Sequence, residues 1–280
     1  MQIKRLFLKQ FLNFLMKQRI RISLEDTFTY NCNINPIRSK DHIDIVTIAF
    51  NNVFVIENQI RLIKKNLIDR NYTYTIADNS SNSSVREYIH NMCKKENVSY
   101  ISLPKDYIKT ITKRPSYSHG AAMNWIYSNY IIPRNSTFFG FIDHDIFPTK
   151  FYSILEKIGN QDFYGHIKEF GDGYWYLWAG FCFFKTDSVA SMNINFFPTK
   201  LNGIYLDTGG SNYLTLYKNY SKKDIVFGKP IIQKSIREGD DYHSDYIHFI
   251  DEIWLHTINA SYWKKVVQKE DLLAEILKTY

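Results

Sequence analysis

The chain has 280 residues, 45% hydrophobic and 22% charged, the proportions of a folded globular protein with room for one large α/β domain or two small ones. Its formal charge of +7 is carried by no basic run long enough to argue for nucleic acid, which leaves a membrane surface or a polyanionic substrate as the use of a basic balance. Cys32, Cys93 and Cys182 show no metal-ligand spacing, and so sparse and odd a set fits a reducing cytoplasm.

Basic and apolar residues are both concentrated at the start. Lys4, Arg5, Lys9, Lys17, Arg19 and Arg21 supply much of the excess charge. On a helical wheel Phe7, Leu8, Phe11, Leu12, Phe14 and Leu15 gather on one side, with Lys9, Asn13 and Lys17 opposite. A helix of this kind over residues 1–20 fits an anionic membrane surface, or packing on the domain or a partner chain, and both readings stay open. Lys9, Gln10 and Asn13 interrupt it too often for a signal-peptide core, and it is too short to span a bilayer. The expected location is the cytoplasm, with peripheral attachment to the inner face of the cytoplasmic membrane under the first reading. Residues 22–41, with Asn31-Cys32-Asn33-Ile34-Asn35-Pro36, read as a connector.

Strands and helices then alternate. Ile43 to Phe50 is a β-rich apolar run ending at Asn51-Asn52, and Val53 to Ile68 has helical spacing through Ile56, Ile60, Ile63 and Leu67. Tyr72 to Ala77 predicts a second strand, Ser84 to Lys95 a second helix and Val98 to Leu103 a third strand. Another helix begins at Ser118, a candidate cap, and its small residues allow close approach to a sheet or ligand. Strands separated by helices imply parallel pairing with right-handed crossovers, so the expected fold is α/β, a Rossmann-like, mostly parallel sheet covered on both faces. Beyond it Phe151 to Ile158 and Ser211 to Tyr220 read as helices, Asp162 to Lys168 and Tyr174 to Lys185 as strands. Ile225 to Ile232 and Phe249 to Leu255 read as short strands, and Glu270 to Lys278 as a terminal helix.

Thr137 to Ile142 is a short apolar run of the kind buried on both faces of a parallel sheet, and Asp143 and Asp145 stand at its carboxyl end, where open α/β sheets place their ligands. In an extended chain, residues two apart share a side, so the two carboxylates would converge. Two neighbouring anions repel unless a cation lies between them, and hard oxygens suit Mg²⁺ or Mn²⁺ shared with substrate phosphates. A solvated Asp-x-Asp turn is the plainer alternative.

Together these pieces resemble the GT-A glycosyltransferases, in particular family 2. The likeness rests on Phe50-Asn51-Asn52, Ala77-Asp78-Asn79-Ser80-Ser81, the small-residue helix ending at Asn124, Phe141-Ile142-Asp143-His144-Asp145, Trp178-Ala179-Gly180-Phe181, Leu206-Asp207-Thr208-Gly209-Gly210 and Trp254-Leu255-His256. It covers roughly Ile43 to Trp263, within a division into residues 1–40 (helix and connector), 41–265 (GT-A domain) and 266–280 (terminal helix).

The resemblance implies a nucleotide-sugar donor, UDP-linked by preference. Asp78 would accept from the base, Asn51 and Asn124 would line the nucleotide-sugar pocket, and Asp143 would face the ribose or the metal's water shell. Asp145 would bind Mn²⁺ or Mg²⁺ directly, with His256 a further metal or diphosphate contact. Asp207 matches the general base of an inverting transfer, although Leu206 precedes it where an acidic residue is commonest. Trp175 and Trp178 would offer rings to a glycan or lipid-linked glycan acceptor, in cell-envelope polysaccharide or lipopolysaccharide synthesis. Plainer roles exist for each: an Asx-turn for Asp78, a helix cap for Asp207, and core packing for His256 and the tryptophans. Two rivals remain, a sugar-phosphate nucleotidyltransferase and an inactive carbohydrate-binding protein of the same fold. The acidic loop Asp240 to Asp245 is either a surface segment or a lid.

Overall fold

The computed structural model describes residues 10, 11, 14, 15, 17–37, 39–106, 114–235, 246–258 and 269–280. A seven-stranded sheet is built from β1 (Thr29–Tyr30), β2 (Ile43–Ala49), β3 (Tyr72–Asp78), β4 (Ser99–Ser102) and β5 (Phe138–Ile142), and after β6 (Ile146–Pro148) from β7 (Phe163–Glu169) and β8 (Trp175–Lys185). Its order is β1-β4-β3-β2-β5-β8-β7. The centre, β4-β3-β2-β5, is parallel, and β1, β8 and β7 join antiparallel. The antiparallel half has a simple cause. Only a short turn at Gly171–Gly173 separates β7 from β8, and parallel neighbours need a crossover of a dozen residues or more.

Every residue of β2 is buried, as a central strand requires. Ile43 and Ile45 enter the apolar layer under α1 (Val53–Asn66) and α2 (Ser83–Lys95), while Val46 and Ile48 pack with α3 (Pro115–Ile126) on the opposite face. The expected α/β architecture with helices on both faces is therefore present. Asn52 and Asn82 cap α1 and α2 through their side chains. Ser118 is not a cap: α3 opens with Pro115 at its first turn, where a missing N–H does no harm, and Ser118 is buried inside the helix. At the other end of β2 the buried Asp44 accepts two hydrogen bonds from Arg134, at 2.9 and 2.8 Å, and one from Ser136 at 2.6 Å.

The second half departs from its expected elements in places. Only Ile154–Ile158 (α4), capped by Ser153, is helical in the stretch from Phe151. After the hairpin of β9 (Thr199–Leu201) and β10 (Ile204–Leu206), the chain makes a four-residue helix at Asn212–Thr215 and a 3-10 turn in place of one helix to Tyr220. The strand expected at Ile225 begins at Ile232 as β11 (Ile232–Ser235). Phe249 to Leu255 is split between β12 (Tyr246–Ile250) and β13 (Trp254–His256), because Asp251 and Glu252 adopt positive φ in a turn. These strands form an antiparallel sheet, β11-β12-β13-β6, and its register sets His256 opposite Ile146. The terminal helix Lys269–Lys278 (α5) buries Leu273 and Leu277 in the same apolar layer as α1.

The described part of the amino-terminal segment docks on the domain. Leu15 packs beside Ala121 and Phe197, and the main-chain carbonyls of Ile20 and Ile22 accept from Asn129 and Trp125, each at 3.1 Å. Phe11 and Phe14 remain exposed, whereas Phe7, Leu8 and Leu12 lie outside the described residues, as does the Asp240 to Asp245 loop. No helix among the described residues is long and apolar enough to cross a membrane.

Candidate active site

The carboxylate pair lies at the carboxyl end of β5, but not in extended chain. The Asp143 N–H donates to the Gly180 carbonyl at 2.8 Å, and the Ile146 N–H closes back on the Asp143 carbonyl at 3.1 Å, so residues 143–146 form a turn. Gln59, fully buried on α1, holds that turn by donating to the carbonyls of Asp143 (2.7 Å) and Ile146 (2.8 Å) while accepting from Tyr74 at 2.7 Å. Convergence of Asp143 and Asp145 thus comes from a clamped turn rather than from strand alternation. Both line a cleft of about 330 Å³ over the ends of β2 and β5, together with Phe50, Asn79, Ser118, His119, His144, Trp178, Asp207 and His256.

Burial, and then the neighbouring Asp145, push the Asp143 carboxyl up to about 7. His119 Nε2 lies 3.5 Å from Asp143 Oδ1, and His256 Nε2 lies 3.5 Å from Asp145 Oδ1. Burial drives both imidazoles down to about 4, so near neutrality they bring no positive charge. Among the described residues that line the cleft there are three carboxylates and no Lys or Arg. Such a wall repels a diphosphate unless a cation accompanies it.

A hard divalent ion fits these donors. No three His, Cys, Asp or Glu side chains among the described residues form a closed cage, and Mg²⁺-like ions need none, since they bind through one or two carboxylates and complete their shell with water and phosphate oxygens.

Asp207 follows the β9–β10 hairpin. Its N–H donates to the Tyr176 hydroxyl at 3.0 Å, and Tyr176 is stacked on Phe170. Its Oδ1 is buried and has no hydrogen-bond partner among the described residues. The cap role is absent, because the next helix starts at Asn212 with Ser211 before it and no side-chain cap bond. Gly209 takes φ +89°, and a Cβ on Gly210 would lie 2.4 Å from Leu206 Cβ, so both glycines are required by the turn that presents Asp207.

Four expected site residues face elsewhere. Asp78 is fully buried, with its carboxylate accepting from the Ser80 N–H at 2.8 Å and the Tyr100 hydroxyl at 3.0 Å; its neighbour Asn79 lines the cleft instead. Asn51, at φ +48°, ties the loop to Ser80, Ser81 and Asn82. Asn124 bridges to Asn195 and the Phe196 N–H. Trp175 is in the core against Tyr217 and Phe227. Trp178, an odd number of residues further along β8, faces the cleft. One face of its ring is covered by Lys168 Nζ, 5.3 Å from the centroid, and His256 lies 5.0 Å away, so it is less open to a sugar than expected.

Other contributors had no local signature. Arg19, from the amino-terminal segment, is buried and donates to Asn79 Oδ1 at 2.7 Å and to the Pro104 carbonyl at 2.8 Å; Asn79 in turn donates to Ser118 Oγ at 3.1 Å. The orientation of this wall residue is therefore fixed from sixty residues away. His144, between the aspartates, accepts from the Phe50 N–H at 3.3 Å.

No protein-family profile and no curated protein sequence matches the chain. Among solved structures, the galactosyltransferase LgtC in complex with donor and acceptor sugar analogs aligns over 51% of this chain and 57% of its own, at 15% identity and a TM-score of 0.37. TarS of S. aureus aligns over 39% of this chain and 18% of its own, at 13% identity and a TM-score of 0.27. The apo form of the bifunctional glycosyltransferase WbbM aligns over 85% of this chain and 35% of its own, at 12% identity and a TM-score of 0.33. Each of these chains is matched over less than two thirds of its length, and superpositions this loose leave the functional reading to the cleft itself.

Proposed function

We propose that the chain is a metal-dependent glycosyltransferase of the GT-A kind that moves a sugar from a nucleotide-sugar donor, UDP-linked by preference, to a hydroxyl of a glycan or lipid-linked glycan. The observation that carries this reading is the meeting, in one cleft at a sheet's carboxyl edge, of the clamped Asp143–Asp145 pair with the carboxylate of Asp207, whose Oδ1 has no hydrogen-bond partner among the described residues. Asp145 and Asp143 would hold Mn²⁺ or Mg²⁺, with His256 beside them. The ion would supply the positive charge that a departing nucleoside diphosphate requires.

The remaining work falls to this chain's own groups. Phe50, Asn79 and Ser118 form the wall suited to the nucleoside, and Arg19 fixes the amide of Asn79. Asp207, on the cleft wall, takes the proton of the attacking hydroxyl on its carboxylate. Direct displacement with one base inverts the anomeric centre. Envelope polysaccharide or lipopolysaccharide synthesis remains the working context. A nucleotidyltransferase would need a cationic, glycine-rich loop for a triphosphate, and after β2 this chain offers Phe50-Asn51-Asn52-Val53.

The test is release of nucleoside diphosphate from UDP, GDP, dTDP and CMP sugars with Mn²⁺ or Mg²⁺, alongside the Asp145→Ala protein. Metal-dependent turnover of one donor that disappears in the variant is the expected result. Binding without any turnover would leave a carbohydrate-binding protein, and equal turnover by Asp145→Ala would remove the scheme.

A further inference from the structure

Lys168 is a basic residue beside the cleft wall at Trp178. It lies on β7, opposite Tyr176 of β8, and its ammonium is held above the Trp178 ring. Trp178 lines the cleft, so the ammonium above its ring stands at the cleft's edge; burial lowers its pKa, and the charges of Asp207 and Asp143 raise it. It nevertheless makes no hydrogen bond or ion pair among the described residues. A half-buried ammonium that rests on a ring face and bonds directly to no carboxylate has given up water without gaining a hydrogen-bonded anion.

Its neighbours share this condition. His166 lies edge-on to Trp178 at 6.3 Å, and His256 is 5.0 Å from the same ring. The Nδ1 atoms of both histidines are buried without a partner among the described residues. Burial holds the His166 ring neutral, able to donate one N–H.

Location decides which substrate this group meets. The nucleoside wall lies over β2 and β3, and the carboxylate turn over β5. In the order β5-β8-β7, Lys168 stands two strands further out, about 10 Å beyond β5 on the side away from the nucleoside. Of the cleft's carboxylates, Asp207, the base, acts on it most strongly. The group that approaches Asp207 is the acceptor.

We propose that Lys168, held over Trp178 and flanked by His166 and His256, is a specificity-determining residue that selects an acceptor sugar bearing an anionic substituent, a carboxylate or a phosphate. This rests on the reading of the cleft as a glycosyl-transfer site. Trp178 then serves as the seat of the ammonium more than as a stacking platform, and an acidic sugar supplies the anion that the chain itself withholds.

Ligand-observed saturation-transfer NMR on the full chain with Mn²⁺ and UDP tests it, with p-nitrophenyl β-glucuronide, the neutral β-glucoside and the glucoside 6-phosphate as probes. A charge-assisted hydrogen bond predicts about tenfold tighter binding of at least one anionic probe than of the glucoside, and the tighter of the two identifies the substituent. Lys168→Met keeps the apolar stem and should erase the preference at an unchanged thermal midpoint, whereas Lys168→Arg should keep it. Equal affinity for charged and neutral probes, or a preference that survives Lys168→Met, overturns the proposal while UDP binding stands. Loss of UDP affinity in Lys168→Met overturns it in favour of a donor-phosphate role. A chain that does not bind UDP with Mn²⁺ fails at the transfer-site reading, and the acceptor proposal falls with it.

Discussion

Gly180→Ala is a sharp probe of the carboxylate turn. A Cβ at this position would lie 2.4 Å from Asp143 Oδ2 and 2.5 Å from Trp178 Cζ2. Gly180 is not in the left-handed region, so alanine suits the backbone and the whole effect is a collision. Ordinary contact begins at 3.4 Å, which requires the Asp143 carboxyl to retreat by about 1 Å, a displacement that costs on the order of 10²-fold in a preorganised site. The colliding Asp143 atom is the free end of a short side chain, so the fold should lose no more than the lower part of the overpacking range, about 1–2 kcal/mol. The expected result is a protein that melts close to the parent yet binds UDP–Mn²⁺ weakly in calorimetry and transfers sugar slowly. A Gly180→Ala protein with parental affinity and turnover would refute the idea that Asp143 works only where the bare backbone of residue 180 lets it lie.

Asp207→Asn should retain UDP–Mn²⁺ binding and lose about 10²–10⁴-fold in turnover, the range for removal of a general base; turnover near the parent's would reassign the residue. Arg19→Ala removes two charge-assisted hydrogen bonds and frees the Asn79 amide, so urea titration should show a loss of about 2–4 kcal/mol and calorimetry a weaker UDP complex, with unchanged UDP affinity counting against the link. Chelation with EDTA should abolish the rise in thermal midpoint that UDP produces, and a persisting rise would argue against the ion. Burial alone would raise the Asp44 carboxyl, but hydrogen bonds from His42, Arg134 and Ser136 hold it below its usual value. A folded pKa under the unfolded one gives stability that is complete above about pH 4 and lost as pH falls through the folded value. The urea midpoint should therefore drop in acid, and Asp44→Asn, weaker at neutral pH, should show less of that drop; an identical acid slope in the variant would exclude Asp44 as its source.

The alternation of short apolar runs with 3.6-residue patterns was enough to predict β2 to β5 and the helices α1 and α2, because such elements are specified by their own periodicity and caps. Boundaries failed where the local pattern had little to say. The short elements after Leu206 and the split at Asp251 follow from turns that the apolar pattern does not mark. At the site, residues standing at strand ends in sequence divided into those that line the cleft, Asp143, Asp145, Asp207, Trp178 and His256, and those that do not, Asp78, Asn51, Asn124 and Trp175.

The sequence by itself determined the order of elements from β2 to β5, the apolar strand and the two carboxylates at its tip, since these depend on neighbours a few residues apart. Only the tertiary structure decided that Asp78 turns to Tyr100, that Gln59 clamps a turn 84 residues away, that Arg19 orients Asn79, and that His256 is set beside Asp145 by the register of β13 on β6. A side chain's direction at a strand end, and the partners it meets across a sheet, are set by pairing register and by packing between distant segments, and no local periodicity carries that information.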